Sequence, residues 1–426
     1  MPINHQPSTI NSLILRSRIV LPICHPAIED GAVAVSGGRI QAVGRWRQLK
    51  GKFSGETIDL GESVLLPGLI NAHCHLDYTH MAGLFPPRKS FSDWIKLITT
   101  EKSHWTFSDY AESWIDGAKQ LLRSGTTTVG DIEAVPELLP DVWETTPLRV
   151  ISFLEMTGVK SRRKPELILR EAREKLDELP QGRCRGALSP HAPYSTTPKL
   201  LRLTAALARK RKLRVTTHVA ESATEFEMFT TARGEMFNWL KRNERDMRDC
   251  GKLSPVQHLA RQNALGPHLL AIHVNHLAPG DAQLLARKRV SVVHCPRSHE
   301  YFQHGKFPFE ELSDAGVNIC LGTDSLATVL SKRKQMPTLT MFAEMRAFAA
   351  KHPKVLPQQI LKMVTLNAAH ALGQRGKLGE LKRGAPADLI ALPFSGSATT
   401  ATEAVVQHSG DVSASMIGGD WAVTPG

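Results

Sequence analysis

Pro67-Gly68-Leu69-Ile70-Asn71-Ala72-His73-Cys74-His75 is the stretch on which the fold of this chain turns. An apolar run leads into two imidazoles separated by one residue. On a β-strand, side chains two apart share a face. His73 and His75 are therefore expected to project together, with Cys74 pointing into the wall. Two imidazoles on one strand end make half of a divalent-metal site, although H-x-H by itself is a common coincidence.

Seven further runs repeat the design. Apolar segments ending in polar residues occur at 64–75, 127–131, 149–155, 185–191, 214–218, 269–276, 290–294 and 317–324. Helical patterns lie between several of them, such as 111–123 ahead of Gly125-Thr126-Thr127-Thr128-Val129. Eight strands alternating with helices predict an α/β architecture, a closed parallel (β/α)8 barrel of the TIM type. Active sites of that fold lie at the C-terminal strand ends. Five of these runs end in His and two in Asp, where barrel chemistry belongs. Short β segments at both termini predict a small β-sandwich built from residues 1–66 plus 373–426, around a barrel of 67–372. A length of 426 residues suits one barrel of about 250 residues with a satellite.

Composition narrows the function. With 42% hydrophobic and 22% charged residues, the chain is neither disordered nor fibrous. A net charge of +12 invites nucleic acid as a partner. However, the densest basic run, Arg209-Lys210-Arg211-Lys212-Leu213-Arg214, follows a helical stretch and reads as a solvated helix end. No zinc-finger spacing or RNA-binding signature accompanies it, so nucleic acid is not expected. Six cysteines without paired spacing fit a reducing compartment. With no signal peptide and no apolar run of about 18 residues, a cytoplasmic location without membrane partners is expected.

Further pieces join the His73–His75 pair. His218 closes Val215-Thr216-Thr217-His218 and opens His218-Val219-Ala220-Glu221; His273 lies in Ala271-Ile272-His273-Val274-Asn275-His276; Asp324 ends Gly322-Thr323-Asp324-Ser325. Three neutral imidazoles plus one carboxylate suit Zn²⁺ or Fe²⁺ with one position left for water. Glu221 is near enough to act on that water without binding the ion.

In this order, PGLINAHCH, SPHAPY, HVAES, the sixth-strand His273 and GTDS resemble the amidohydrolase superfamily over nearly the whole chain. The similarity is to its subgroup of cytosine, guanine and S-adenosylhomocysteine deaminases and triazine hydrolases. That resemblance implies that His73, His75, His218 and Asp324 hold one divalent metal ion, zinc first and iron second. It also implies proton-transfer roles for Glu221 and His273, with Asp324 sharing in them, and substrate contact for His191. Binuclear relatives carry a fourth-strand lysine; Cys184-Arg185-Gly186-Ala187-Leu188-Ser189 has none, which favours a single ion.

The implied reaction is hydrolytic deamination at the C(NH2)=N group of an N-heterocycle, a purine- or nucleoside-like small molecule. Aminodeoxyfutalosine deaminases are one candidate specificity. The alternative is a triazine-type chlorohydrolase or cyclic amide hydrolase, which the metal residues do not distinguish. A homo-oligomer is left open.

Two loop features complete the reading. Arg297, after the seventh strand, is a candidate for binding an anionic substrate group. The segment 222–265, rich in Phe and Met, is read either as helices packed on the barrel or as a partial lid. His299 and His304 are five apart, the wrong spacing for a zinc-protease helix, and His276 is read as structural.

Overall fold

The computed structural model describes residues 12–87, 90–159, 163–331 and 336–426. Strands β1 (Leu13–Val20), β2 (Ile28–Ser36), β3 (Arg39–Arg45), β4 (Glu56–Asp59) and β5 (Ser63–Pro67) come first. Eight more follow between helices: β6 (Leu69–Cys74), β7 (Thr126–Glu133), β8 (Arg149–Met156), β9 (Arg185–Pro190), β10 (Val215–Val219), β11 (Leu269–His273), β12 (Ser291–His294) and β13 (Asn318–Leu321). The chain ends with β14 (Leu389–Pro393), β15 (Ala414–Ile417) and β16 (Asp420–Val423).

Strands β6 to β13 pair in sequence order, all parallel, as the alternation of strand and helix predicts. Side chains alternate accordingly. Ile151, Phe153, Ala187, Leu270, Ile272 and Val293 fill the barrel interior. Val150, Leu154, Leu188, Ala271 and Val292 pack outward with residues of the surrounding helices.

The ends meet at one isolated parallel bridge between Cys74 and Asp324. The Asp324 backbone N–H donates to the His73 carbonyl at 3.2 Å. A β-carbon on Gly322 would stand only 2.7 Å from that carbonyl oxygen and 2.9 Å from the His73 β-carbon. Glycine at 322 therefore lets β13 close on β6, and the same seam sets Asp324 beside His73.

The run 64–75 divides between two sheets. β5 belongs with the termini and β6 with the barrel. The break falls at Gly68, where any β-carbon would overlap the Thr127 side chain. Strands from both termini share a sheet ordered β16-β15-β14-β5-β1-β2-β3, with β4 also on β1. β5 is its joint, parallel to β1 and antiparallel to β14. The strands expected to form a sandwich are thus hydrogen-bonded into one continuous sheet, around Leu15, Val33, Ile40, Leu65, Leu389 and Met416. Among the described residues no helix is long and apolar enough to cross a membrane.

Candidate active site

His73, His75, His218, Glu221, His273 and Asp324 converge at the C-terminal mouth of the barrel, none more than 7% exposed. The His73 ring lies 5.1 Å from His75 and 5.0 Å from His218, centroid to centroid. Asp324 Oδ1 is 3.6 Å from the Nε2 atoms of both His73 and His75. Three overlapping sets have donor atoms within 4.8 Å of one another: His73/His218/His273, His73/His75/Asp324 and Glu221/His273/Asp324.

These residues fit a divalent cation. Both ring nitrogens of His73 and Nε2 of His273 are buried without a hydrogen-bond partner. Leaving such a group unsatisfied costs about 1–3 kcal/mol, which a cation among them would remove. His218 Nδ1 lies 2.9 Å from the His191 carbonyl oxygen. A carbonyl only accepts, so Nδ1 carries the proton and Nε2 keeps its lone pair for a ligand role.

Left-handed turns aim the side chains. Ala220 (φ 51°), His273 (φ 72°), Val274 (φ 50°) and Asp324 (φ 55°) all adopt a backbone that favours glycine. Each costs on the order of 1–3 kcal/mol. Hydrogen bonds hold the turn after β11: Val274 N–H donates to the Val219 carbonyl at 3.1 Å, and Asn275 N–H to that of Ala220 at 3.0 Å.

Burial then sorts the charges. It pushes the His75 and His273 imidazoles down to about 3, with His73 adding to both, and His218 well below its ordinary value. The rings are neutral near pH 7, as metal ligands must be. Burial also raises the Glu221 carboxyl well above its usual range, reinforced by Asp324 and Glu225. Asp324 is equally buried, but the surrounding imidazoles hold its carboxyl well below the usual range. It also accepts hydrogen bonds from Ser298 Oγ at 2.6 Å and from the Ser325 N–H at 2.8 Å.

A cavity of about 590 Å³ opens over this cluster. His191 lines it, with Nδ1 2.6 Å from Ser195 Oγ and Nε2 3.8 Å from Glu155 Oε1. The far wall is apolar, from Trp94, Ile95, Ile98, Trp239 and Leu240. Both readings of 222–265 therefore meet. Met228, Phe229, Met236 and Leu240 pack with Phe91 and Tyr194, and the helix Gly234–Arg242 also forms the cavity wall.

Arg297 is not where the sequence suggested. Its guanidinium is committed to the fully buried Glu344, Nε to Oε1 at 2.5 Å, and to the Thr338 carbonyl at 3.0 Å. It ties the helix Pro296–Tyr301 to the helix Met341–Lys351 and is not among the residues lining the cavity. The next residue, about 100° around the helix, is Ser298, which does reach the site. His299 and His304 also correct the helical argument. That helix ends at Tyr301, and the two rings stand 5.3 Å apart, outside every candidate metal group among the described residues.

Two further residues support Glu221. Glu225 accepts from the Glu221 backbone N–H at 2.9 Å, and Asn275 Nδ2 donates to the Glu221 carbonyl at 2.9 Å. Both lie within four residues of a recognised motif, which is the signal that could have found them; Ser298 has no such signal beside it.

The model of the amidohydrolase family matches residues 64–422. A 5-methylthioadenosine/S-adenosylhomocysteine deaminase of Nitratidesulfovibrio vulgaris is 31% identical over 378 residues, covering 86% of this chain and 79% of the relative. A 5'-deoxyadenosine deaminase of Methanothermobacter thermautotrophicus is 29% identical over 375 residues, 86% of this chain and 81% of the relative. Among solved structures, a zinc-bound adenosine deaminase of Xanthomonas campestris superposes with a TM-score of 0.83 at 25% identity, over 97% of this chain and 93% of that one.

Proposed function

The chain belongs to the amidohydrolase family, and we propose that within it the protein is a mononuclear, metal-dependent deaminase of an adenine nucleoside altered at its 5′ position. The carrying observation is a chain of buried groups in opposite protonation states. Glu221 Oε1, on a carboxyl raised by burial, lies 3.4 Å from His273 Nε2, which lies 4.0 Å from the ionised Asp324.

In this reading His73, His75, His218 and Asp324 hold one ion, zinc for a nitrogen-rich donor set, with iron as the alternative. When bound, the ion supplies a Lewis acid that makes water a competent nucleophile near neutral pH. Asp324 and His273 orient the water and take its proton as its oxygen bonds to the amino-bearing ring carbon. Glu221 gives its proton to the adjacent ring nitrogen, worth about 10²–10⁴ in rate. Breaking the bond to the amino group, with a proton passed to the departing nitrogen, leaves ammonia and a ring carbonyl. His191, beside Glu155, contacts the substrate.

The apolar wall of Trp94, Ile98 and Trp239 suits a 5′ substituent that is no longer a free hydroxyl. That feature is common to the substrates for which the similar deaminases are named. We also read 67–372 as the catalytic unit and 1–66 plus 373–426 as its β companion. Six unpaired cysteines support a cytoplasmic setting.

The test is ammonia release from 5′-methylthioadenosine, 5′-deoxyadenosine and adenosine, beside a chlorotriazine and a cyclic amide, with elemental analysis of the same preparation. One ion per chain and ammonia from the 5′-modified nucleosides are expected. Chloride release or ring opening without nucleoside turnover would replace the proposal with the triazine or cyclic-amide reading.

A further inference from the structure

The strands that carry the site at one end meet a second cavity at the other. Arg214 precedes β10 by one residue and His218 lies near its far end, about 13 Å along a strand rising ~3.3 Å per residue. This second cavity, of about 740 Å³, takes Arg209, Lys212 and Arg214 from the basic run noted in the sequence. It takes Arg287 from the end of the helix Asp281–Arg287, Lys288 and Arg289 from the turn that follows, and Arg185 from the start of β9.

The helix-end reading of that run accounts for Arg211, which leaves the cavity to pair with Asp177 at 2.6 Å. It does not account for the rest. Among the described residues no Asp or Glu lines the cavity, and none of its seven cations forms an ion pair. Three of its five guanidiniums are instead fixed by neutral acceptors. Arg185 donates to the Leu372 carbonyl at 2.8 Å, Arg209 to that of Asn263 at 2.8 Å, and Arg214 to those of Pro267 and His370. They are held in place without being neutralised.

His268 completes the lining, with Nε2 buried and unpartnered. Burial, then Arg209 and Arg214, push its imidazole down to about 4, so the ring is neutral near pH 7 and able to donate one hydrogen bond. Three preorganised guanidiniums, four further cations, a neutral donor and a volume within the ~300–1,000 Å³ of small-molecule sites make an anion receptor.

We propose that this cavity binds a small molecule carrying two or more linked phosphate groups, gripped by the guanidiniums of Arg185, Arg209, Arg214, Arg287 and Arg289. The linked groups match cations spread over three elements, where a single phosphate would meet only one side. The phosphate chain is the recognised chemistry, whether free or carried by a nucleotide.

The experiment is calorimetric titration of the metal-loaded protein with inorganic tripolyphosphate at physiological ionic strength, with orthophosphate and a nucleoside triphosphate as further arms. Saturable binding of one tripolyphosphate per chain is expected. Replacing the exposed Arg209, Arg287 and Arg289 together by Gln should weaken it about tenfold or more. Removing equal charge from the helix Trp46–Leu49 and the turn after it, with Arg47→Gln, Lys50→Gln and Lys52→Gln, should leave it unchanged. Equal affinity for nucleotide and tripolyphosphate assigns recognition to the phosphates alone, and tighter nucleotide binding adds its base; both support the site. Absence of saturable binding, preference for orthophosphate, or equal weakening by the two triple variants would overturn it.

Discussion

Replacing Gly322 by Ala tests whether the barrel seam sets the metal cluster. The added β-carbon would lie 2.7 Å from the His73 carbonyl oxygen, 2.9 Å from its β-carbon and 3.0 Å from its nitrogen. Ordinary carbon contacts lie near ~3.5–4.0 Å, so β13 and β6 must part by about 1 Å. The φ of Gly322 is not left-handed, so Ala meets a collision and no backbone penalty. Overpacking of this kind costs about 1–3 kcal/mol. For 426 residues at ~2.1 cal/mol/K each, every kcal/mol lowers Tm by about 1 °C, so the thermal change is small. Metal retention should respond far more, because the displaced residue is His73 and the opening separates it from Asp324. A loss of about 10–100-fold in metal affinity is expected, the range for disturbing the groups that orient ligands. The assay is competition with a chromophoric chelator, read beside calorimetric Tm. Wild-type metal affinity in Gly322→Ala would refute the argument that this seam positions the proposed ligands.

Other outcomes follow from the same geometry. Glu221→Gln should keep metal content while kcat for ammonia release falls by about 10²–10⁴; near-full turnover would remove Glu221 from the proton path. Arg297→Ala leaves the buried Glu344 unpaired and should destabilise the fold by ~3 kcal/mol; a rise in KM confined to anionic substrates, without loss of stability, would return Arg297 to the site. Burial lowers His258 and His299 to about 4 and His304 to about 3, from an ordinary 6.5. Their folded values lie below the unfolded ones, so the stability they contribute is present above pH 6.5 and lost as pH falls toward 4. Calorimetric Tm should drop across that window with proton uptake on unfolding, and a flat profile would contradict it.

Most of the candidate site was legible because barrel chemistry sits where apolar runs stop. His218, His273 and Asp324 could be read this way, and the H-x-H spacing supplied the strand-end pair. Side-chain alternation is a weaker guide than it looked, since the β6–β7 register shifts between Asn71 and Cys74. His73 and His75 nonetheless both reach Asp324. What stayed hidden depends on partners distant in sequence or on backbone turns without a residue signature. Arg297 is claimed by Glu344, 47 residues away, and nothing in Pro296-Arg297-Ser298 says which residue faces the mouth. The left-handed turns at Ala220, His273 and Asp324 use no glycine, so the usual marker was absent. The same limit applies at Gly68: the expected boundary between 66 and 67 falls beside the sheet switch, but the crowding by Thr127 there is tertiary.

The two carboxylates of the site show how one burial yields two chemistries. Glu221 and Asp324 are each 6% exposed, so desolvation alone would raise both. Asp324 is surrounded by imidazoles and receives Ser298, Ser325 and, at 3.4 Å, Thr328; each hydrogen bond favours its ionised form. Among the described residues no hydrogen bond reaches the Glu221 carboxyl, and its charged neighbours Asp324 and Glu225 both oppose ionisation. The pair is thereby pushed in opposite directions across His273, as the proposed reaction, with a base for water and an acid for a ring nitrogen, requires. Ser298 is one of the residues that maintain the split. Ser298→Ala should raise the lower limb of a kcat/KM pH profile, because Asp324 would then take up its proton at higher pH, while leaving the Glu221 limb in place. If both limbs moved together, the two carboxyls would be titrating as one unit and the assignment of separate acid and base would fail.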